Sequence, residues 1–255
     1  MLFRSNGKIT AVTKDEISGE KEYDCSGKIV SPGFVDIHMH EDPYNEDRQA
    51  FEICIAECML KMGVTTVVGG NCGIGAKTVD GYLNEVSRLG YPVNIALLMP
   101  HGSLRDYFGN FDKYKNVSSD VIANMCKKLE KELEAGALGL SFGIRYIPGL
   151  NREEMLALCR VAKKYDRAVA AHVRDDAAGI FDAIRELIQL ALDTGVKIQV
   201  SHIGSMAAYG QMEEVVQMID HYAAGGIDIA LDCYPYNAFY TYIGSTVFDE
   251  GFLER

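Results

Sequence analysis

Two patterns of apolar and polar positions alternate along the chain from residue 30 onward. Apolar runs of strand length lie at 34–39, 64–69, 93–99, 137–141, 168–173, 196–202 and 227–233. The stretches between them carry apolar residues at helical spacing, at 47–62, 78–89, 119–135, 152–166, 177–194 and 211–224. Strands that alternate with helices are typical of repeated βα units, which build a parallel sheet. The pattern therefore predicts an α/β fold, a (β/α) barrel with seven strands visible in the sequence.

The first thirty residues show a different pattern. Two β-like pieces, 7–12 and 23–30, flank a charged turn. So few strands cannot form a stable unit alone, because an isolated strand pair is marginal in water. We therefore expect residues 1–30 to form a segment distinct from the barrel, which would occupy residues 31–255.

Composition limits the classes of partner. The 255 residues are 48% hydrophobic and carry a formal net charge of −11, which permits a large core and disfavours binding to nucleic-acid phosphates. The N-terminus lacks the apolar segment of a secretory signal, and no run reaches the roughly 18 apolar residues of a membrane span. Seven cysteines, an odd number, suit reduced thiols. We expect a cytoplasmic protein without a membrane or nucleic-acid partner.

A histidine pair closes the first predicted barrel strand. His38 and His40 follow an apolar run that is introduced by a Pro-Gly turn. Alternate side chains of a strand point to the same face, so both imidazoles can reach one ion or one substrate. Two satisfied histidines at a strand end are the alternative interpretation.

Three further residues of metal-ligand type stand where predicted strands end. Cys72 follows the second strand among glycines, His172 closes the fifth, and His202 closes the sixth. The carboxyl ends of barrel strands meet at one face, where active sites lie. Thiolate and imidazole ligands favour zinc among common metals. The pattern indicates a zinc site, although a lone Cys is more often a small buried hydrophobe.

The wider sequence resembles one family of metal-dependent hydrolases, the N-acyl-D-amino-acid deacylases (D-aminoacylases) of the amidohydrolase superfamily. The segments that carry the resemblance are GVTTVVGGNCG (63–73), HGSLR (101–105), GALGLSFGIRYIPG (136–149), AAHVRDD (170–176), VSHIG (200–204) and DCYPY (232–236). The resemblance implies a (β/α)8 TIM-type barrel that is incomplete here. It would lack the last strand and the family's catalytic Asp, expected beyond Arg255. Residues 1–30 would be the remnant of a small β-sandwich.

The same resemblance implies a ligand set and a reaction. Cys72, His172 and His202 would hold a tightly bound zinc ion, with His38 and His40 at a second, weaker position. The full-length enzyme would hydrolyse the amide bond of N-acyl-D-amino acids to a carboxylate and a D-amino acid, and the present chain would be impaired.

Further matched residues are expected near a small-molecule substrate. His101 and Tyr146 lie in loops at the barrel mouth, where substrate contact and loop packing are both open. Arg174 has a fork that suits a substrate carboxylate, with an ion pair to a neighbouring Asp as the alternative. Asp232 would orient a ligand or cap the adjacent turn. Gly204 stands where many relatives carry Lys, which leaves the side-chain preference open.

Three other functions remain open. A cyclic amidase of the hydantoinase or dihydroorotase type shares the barrel and the histidine pair, but predicts a Lys near the end of the fourth strand, where Ser141 stands. A non-catalytic zinc-binding fragment would bind metal without turnover. The third alternative is a partner protein completed by another chain that supplies the eighth strand, since unpaired strand edges in an incomplete barrel favour pairing with another chain, including self-association.

Overall fold

A computed structural model of the chain describes residues 2–207, 209–241 and 243–249. It contains two compact units, Met1–Gly33 and Phe34–Arg255. The first unit holds one antiparallel hairpin, β1 (Leu2–Ser5) and β2 (Lys8–Val12). Its two-residue turn places Asn6 and Gly7 at positive φ, the geometry that suits the twist of a hairpin.

The second strand predicted in this unit, at 23–30, is wrong. No strand is assigned there, and the Lys28 amide instead donates a turn hydrogen bond to the Cys25 carbonyl. Gly27 has a φ of 73° inside that turn. A left-handed residue reverses the chain direction, so the apolar residues that follow cannot continue one extended strand.

Seven parallel strands form the sheet of the second unit, which confirms the predicted α/β class and incomplete barrel. They are β3 (Phe34–Asp36), β4 (Val64–Gly69), β5 (Asn94–Pro100), β6 (Gly139–Gly143), β7 (Ala168–His172), β8 (Lys197–Val200) and β9 (Ile229–Leu231). Their order across the sheet is the order of the chain. All carboxyl ends therefore lie at one edge, where the polar residues cluster.

Helices connect the strands. They are α1 (Ile55–Lys61), α2 (Val79–Leu89), α3 (His101–Tyr107), α4 (Ser119–Glu134), α5 (Arg152–Lys164), α6 (Ile180–Thr194), α7 (Ile203–Met206) and α8 (Met212–Ala224). Five of the six predicted helices correspond to α2, α4, α5, α6 and α8. Their apolar faces pack with the strands into one core that includes Leu97, Leu140 and Ile184.

The predicted helix at 47–62 is much shorter than expected. Its first part forms a small hairpin, Tyr44–Asn45 with Ala50–Phe51, in which Gln49 takes a positive φ. The helix begins only at Ile55, because the Asp42 carboxylate accepts hydrogen bonds from the first free amides of that turn. A cap from a residue so distant in sequence leaves no local periodic signal.

Strands β3 and β9 are the two edges of the described sheet. On β3, Phe34 and Val35 are 60% and 61% exposed. Exposed apolar edges are templates for pairing with another chain, and self-association through this edge stays a prediction. Among the described residues, no helix combines the length and apolar character needed to cross a membrane.

Candidate metal centre

The five predicted metal ligands lie at the ends of β3, β4, β7 and β8 or in the loops that follow, at the carboxyl edge of the sheet. All five line a cavity of about 400 Å³. The other lining groups include Arg145, Tyr146 and an aromatic segment at 234–240. The cavity is large enough for a small-molecule substrate.

The tightest cluster joins His38, Cys72 and His202. Sγ of Cys72 lies 3.4 Å from Nε2 of His38 and 3.4 Å from Nε2 of His202. One ligand atom from each of the three lies within 4.8 Å of the other two. This grouping differs from the expected division, which placed His38 at a separate position. The fold brings the first strand's histidine directly to the thiol.

His172 stands beside this cluster. Its ring centroid lies 4.5 Å from that of His202, and its side chain is almost fully buried. Its Nδ1 has no hydrogen-bond partner among the described residues. A buried ring nitrogen without a partner is costly, so it is available to a ligand that the protein atoms do not supply. His40 is more remote, with its ring centroid 6.2 Å from that of His38.

Asp232 holds two members of the cluster. Its Oδ2 lies 3.1 Å from Nδ1 of His38, and its Oδ1 accepts a 2.6 Å hydrogen bond from the backbone amide of His202. Gln199 also donates to Oδ2. Of the two roles that the sequence left open, the geometry favours orientation of a ligand, because a carboxylate only accepts and so fixes the proton of His38 on Nδ1.

Hydrogen bonds brace the loop that carries Cys72. Glu41 accepts bonds of 2.6 Å from the amides of Gly70 and Ala76. Ser141 donates to the Gly70 carbonyl and accepts from the Gly73 amide. Ser141 is buried, and its hydroxyl is engaged with this loop. It stands near the strand end, at the position where a cyclic amidase predicts a Lys. Neither brace has a local sequence signal, since both contacts join distant segments.

Backbone strain marks two of the clustered ligands. Cys72 has φ 55° and ψ 25°, and His202 has φ 37° and ψ 50°, both in the left-handed region. Such conformations cost about 1–3 kcal/mol each for non-glycine residues and are concentrated at functional sites. The surrounding braces maintain both.

The protonation of the cluster suits a cation. Burial lowers the pKa of His172 well below its usual value, and it lowers that of His202 to about 4, with the charge of His38 adding to the effect on both. Both imidazoles are therefore neutral at pH 7 and offer lone pairs. Burial, and then the charge of Asp232, raise the pKa of the Cys72 thiol to about 12. This thiol is therefore protonated at pH 7 when no metal ion is bound, and a bound metal ion would displace the proton. The donor set fits zinc.

The three predicted substrate contacts fall in different places. Tyr146 lines the cavity, with its ring centroid 4.6 Å from that of His172. His101 is fully buried, and its Nε2 lies 2.7 Å from Oε1 of Glu154, which favours loop packing. Arg174 donates to Glu186 and to the Leu150 carbonyl, so its fork is occupied, though not by the neighbouring Asp that the sequence suggested.

Comparison with known proteins shows which proteins this chain resembles. The amidohydrolase family profile matches residues 29–219. The N-acyl-D-glutamate deacylase of Alcaligenes xylosoxydans xylosoxydans is 29% identical over 243 residues, which cover 85% of this chain and 49% of that protein. The D-aminoacylase of the same organism is 30% identical over 242 residues, which cover 84% and 49%.

A solved structure is also similar to this chain. The N-acyl-D-glutamate deacylase of Bordetella bronchiseptica, in complex with zinc and a phosphonate mimic of the tetrahedral intermediate, superposes with a TM-score of 0.74 at 30% identity, covering 84% of this chain and 49% of that one. The chain thus spans about half the length of the relatives it matches.

Proposed function

The chain belongs to the amidohydrolase family, and from that premise we propose that its function is the zinc-dependent hydrolysis of the amide bond of N-acyl-D-amino acids. The observation that carries the proposal is the cluster of His38, Cys72 and His202 inside a cavity of small-molecule size. The relatives with deacylase names support the reaction class, and the zinc in the Bordetella enzyme supports the metal.

The proposed zinc ligands are His38, Cys72 and His202, with His172 beside them. When bound, zinc supplies Lewis-acid polarisation of the acyl carbonyl and activation of a water nucleophile. The second, weaker position that the sequence placed at His38 and His40 stays a prediction, and with His38 in the cluster His40 would be its remaining ligand. Asp232 keeps the His38 proton on Nδ1 and the His202 backbone in place, so it is a positioning residue. Because its carboxylate is occupied by these bonds, we assign it no role as general base.

The cavity walls contribute orientation. Tyr146 and the aromatic segment 234–240 line the pocket. Their rings offer apolar contact area beside the metal-ligand cluster. A small N-acyl amino acid is the partner that such a cavity accommodates.

The experiment compares zinc-loaded protein on N-acetyl-D- and N-acetyl-L-amino acids and on a hydantoin. We expect slow hydrolysis, because none of the described residues is assigned as the general base. The D isomer should be preferred over the L isomer, and the activity should be lost together with bound zinc in Cys72→Ala. Cys159→Ala is the matched control, because Cys159 is equally buried but lies in the apolar core.

Other outcomes select the alternatives. Turnover of the hydantoin alone would identify a cyclic amidase. Stoichiometric zinc without turnover of any substrate would identify a zinc-binding protein that is not a catalyst. Unchanged zinc content in Cys72→Ala would refute the proposed ligand set.

A further inference from the structure

One cationic side chain of Lys or Arg type lines the metal cavity within the described part of the chain, and it is Arg145. It follows the end of β6, where Ile144 donates a hydrogen bond to the backbone carbonyl of His172. The Thr246 hydroxyl donates to the Arg145 carbonyl. The backbone of Arg145 is therefore fixed on both sides, next to a proposed metal neighbour.

The guanidinium of Arg145 has unused hydrogen-bonding capacity. Its side chain is only 13% exposed, and its one ion pair among the described residues is a 3.3 Å contact from Nη1 to Asp175. Charge-assisted bonds of this kind are usually about 2.7–2.9 Å long. The buried Nε has no hydrogen-bond partner among the described residues. An unpaired buried donor is costly, so the site is arranged for an acceptor that the protein does not provide.

Arg174, the arginine that the sequence suggested for this role, differs from Arg145 in its hydrogen bonds. Its Nε and Nη2 both donate to Glu186 at 2.9–3.1 Å, and Nη2 also donates to the Leu150 carbonyl. It is absent from the cavity lining. The available cation is therefore Arg145.

An N-acyl amino acid presents a carboxylate close to its scissile bond. Only the amide nitrogen and the α-carbon separate the acyl carbonyl from that carboxylate, so a cation that binds it must line the same cavity as the metal ligands. Resting on the proposed function, we propose that Arg145 binds the substrate α-carboxylate and that the site selects substrates with this single negative charge and an apolar side chain.

The charges and apolar groups of the cavity support the second half of this proposal. Three carboxylates, Asp36, Asp175 and Asp176, line it beside a single arginine. A second substrate carboxylate would meet like charges without a further Lys or Arg side chain among the described lining residues, which disfavours acidic side chains. Apolar and aromatic groups offer the alternative contact: Met59, Met206, Tyr234, Tyr236, Phe239 and Tyr240.

The test measures binding separately from turnover. Isothermal titration of the zinc-loaded chain uses N-methylsulfonyl-D-leucine, its primary carboxamide, and N-methylsulfonyl-D-glutamate, none of which has a hydrolysable acyl group. We expect the leucine acid to bind more tightly than both other ligands. Arg145→Met should weaken the acid by roughly 10- to 100-fold, the loss typical of charge-assisted hydrogen bonds, and leave the carboxamide unchanged. Arg145→Lys should retain part of the preference.

Arg174→Met is the matched control and should keep the difference between acid and carboxamide. Equal affinity of the unmodified chain for acid and carboxamide would overturn the proposal without any variant. An equal loss of both ligands in a folded Arg145→Met protein, or tighter binding of the glutamate ligand, would do the same. A preserved acid preference in a protein that hydrolyses no amide would refute the proposed reaction and leave the role of Arg145 standing.

Discussion

Replacement of Asp232 by Asn tests whether the cluster is held in a metal-binding state by its carboxylate. The substitution preserves shape and removes one negative charge. In the present structure Oδ2 faces two groups, the ring of His38 and the Gln199 amide, while Oδ1 faces the backbone amide of His202.

An Asn side chain cannot satisfy both sides. With its NH₂ group toward His38, the imidazole must accept at Nδ1, so Nε2 carries the proton and loses the lone pair that faces Cys72. With its oxygen toward His38, the NH₂ group meets the amide of His202, and two donors oppose each other at a position now 2.6 Å apart. Either orientation disturbs one ligand of the cluster.

The expected loss is about 10–100-fold in zinc affinity, which is typical when the partner of a metal-binding histidine is removed. That range corresponds to about 1.4–2.7 kcal/mol. Competition with a chromophoric chelator at pH 7 measures the dissociation constant. Circular dichroism verifies that the variant is folded.

Asp176→Asn is the control, because Asp176 lines the same cavity and loses the same charge. If both variants lost equal affinity, the effect would come from the net charge of the cavity and not from His38. If Asp232→Asn bound zinc as tightly as the unmodified chain, the positioning role would be wrong.

Three further predictions follow from the fold. Asp42→Asn should lower the free energy of unfolding by about 1–3 kcal/mol at pH 7, measured by urea denaturation. Burial alone would raise the pKa of Asp42, but hydrogen bonds from backbone amides outweigh burial and lower it. The difference in unfolding free energy between the two proteins should therefore persist above about pH 4 and vanish as the pH falls through the folded-state pKa. Glu154→Gln should cost about 3–5 kcal/mol, because it leaves the buried Arg105 without its carboxylate; a loss below 1 kcal/mol would contradict this. Val35→Lys should reduce concentration-dependent self-association in sedimentation velocity, and an unchanged profile would exclude the β3 edge as the contact.

The strands were predictable because their signal is local. A buried parallel strand is a continuous apolar run, and the helix that follows has its own period, so the alternation appears in the sequence before any contact is known. The ends of those runs also located Cys72, His172 and His202. Local signals fail where a distant residue sets a boundary, as Asp42 does for α1.

The arrangement of the site was less accessible for the same reason. His38 and Asp232 are separated by 194 positions, and the sequence around either residue contains no local pattern that indicates their contact. The choice between Arg145 and Arg174 shows the limit most clearly. Both arginines follow strand ends in matched segments, and the contacts that occupy Arg174, with Glu186 on α6 and with the Leu150 carbonyl, come from other parts of the chain.

The strained ligands suggest that the site is formed before metal arrives. Cys72 keeps its left-handed backbone while Glu41 and Ser141 fix the loop around it, and Gly70 has no room for a side chain because a Cβ would collide with the Leu98 carbonyl. His202 is held by Asp232 in the same way. These braces are hydrogen bonds between protein atoms, and each contributes to holding a ligand in place. Metal binding would then require loss of the Cys72 proton and little rearrangement of the chain, which makes the buried thiol the pH-dependent element of zinc affinity.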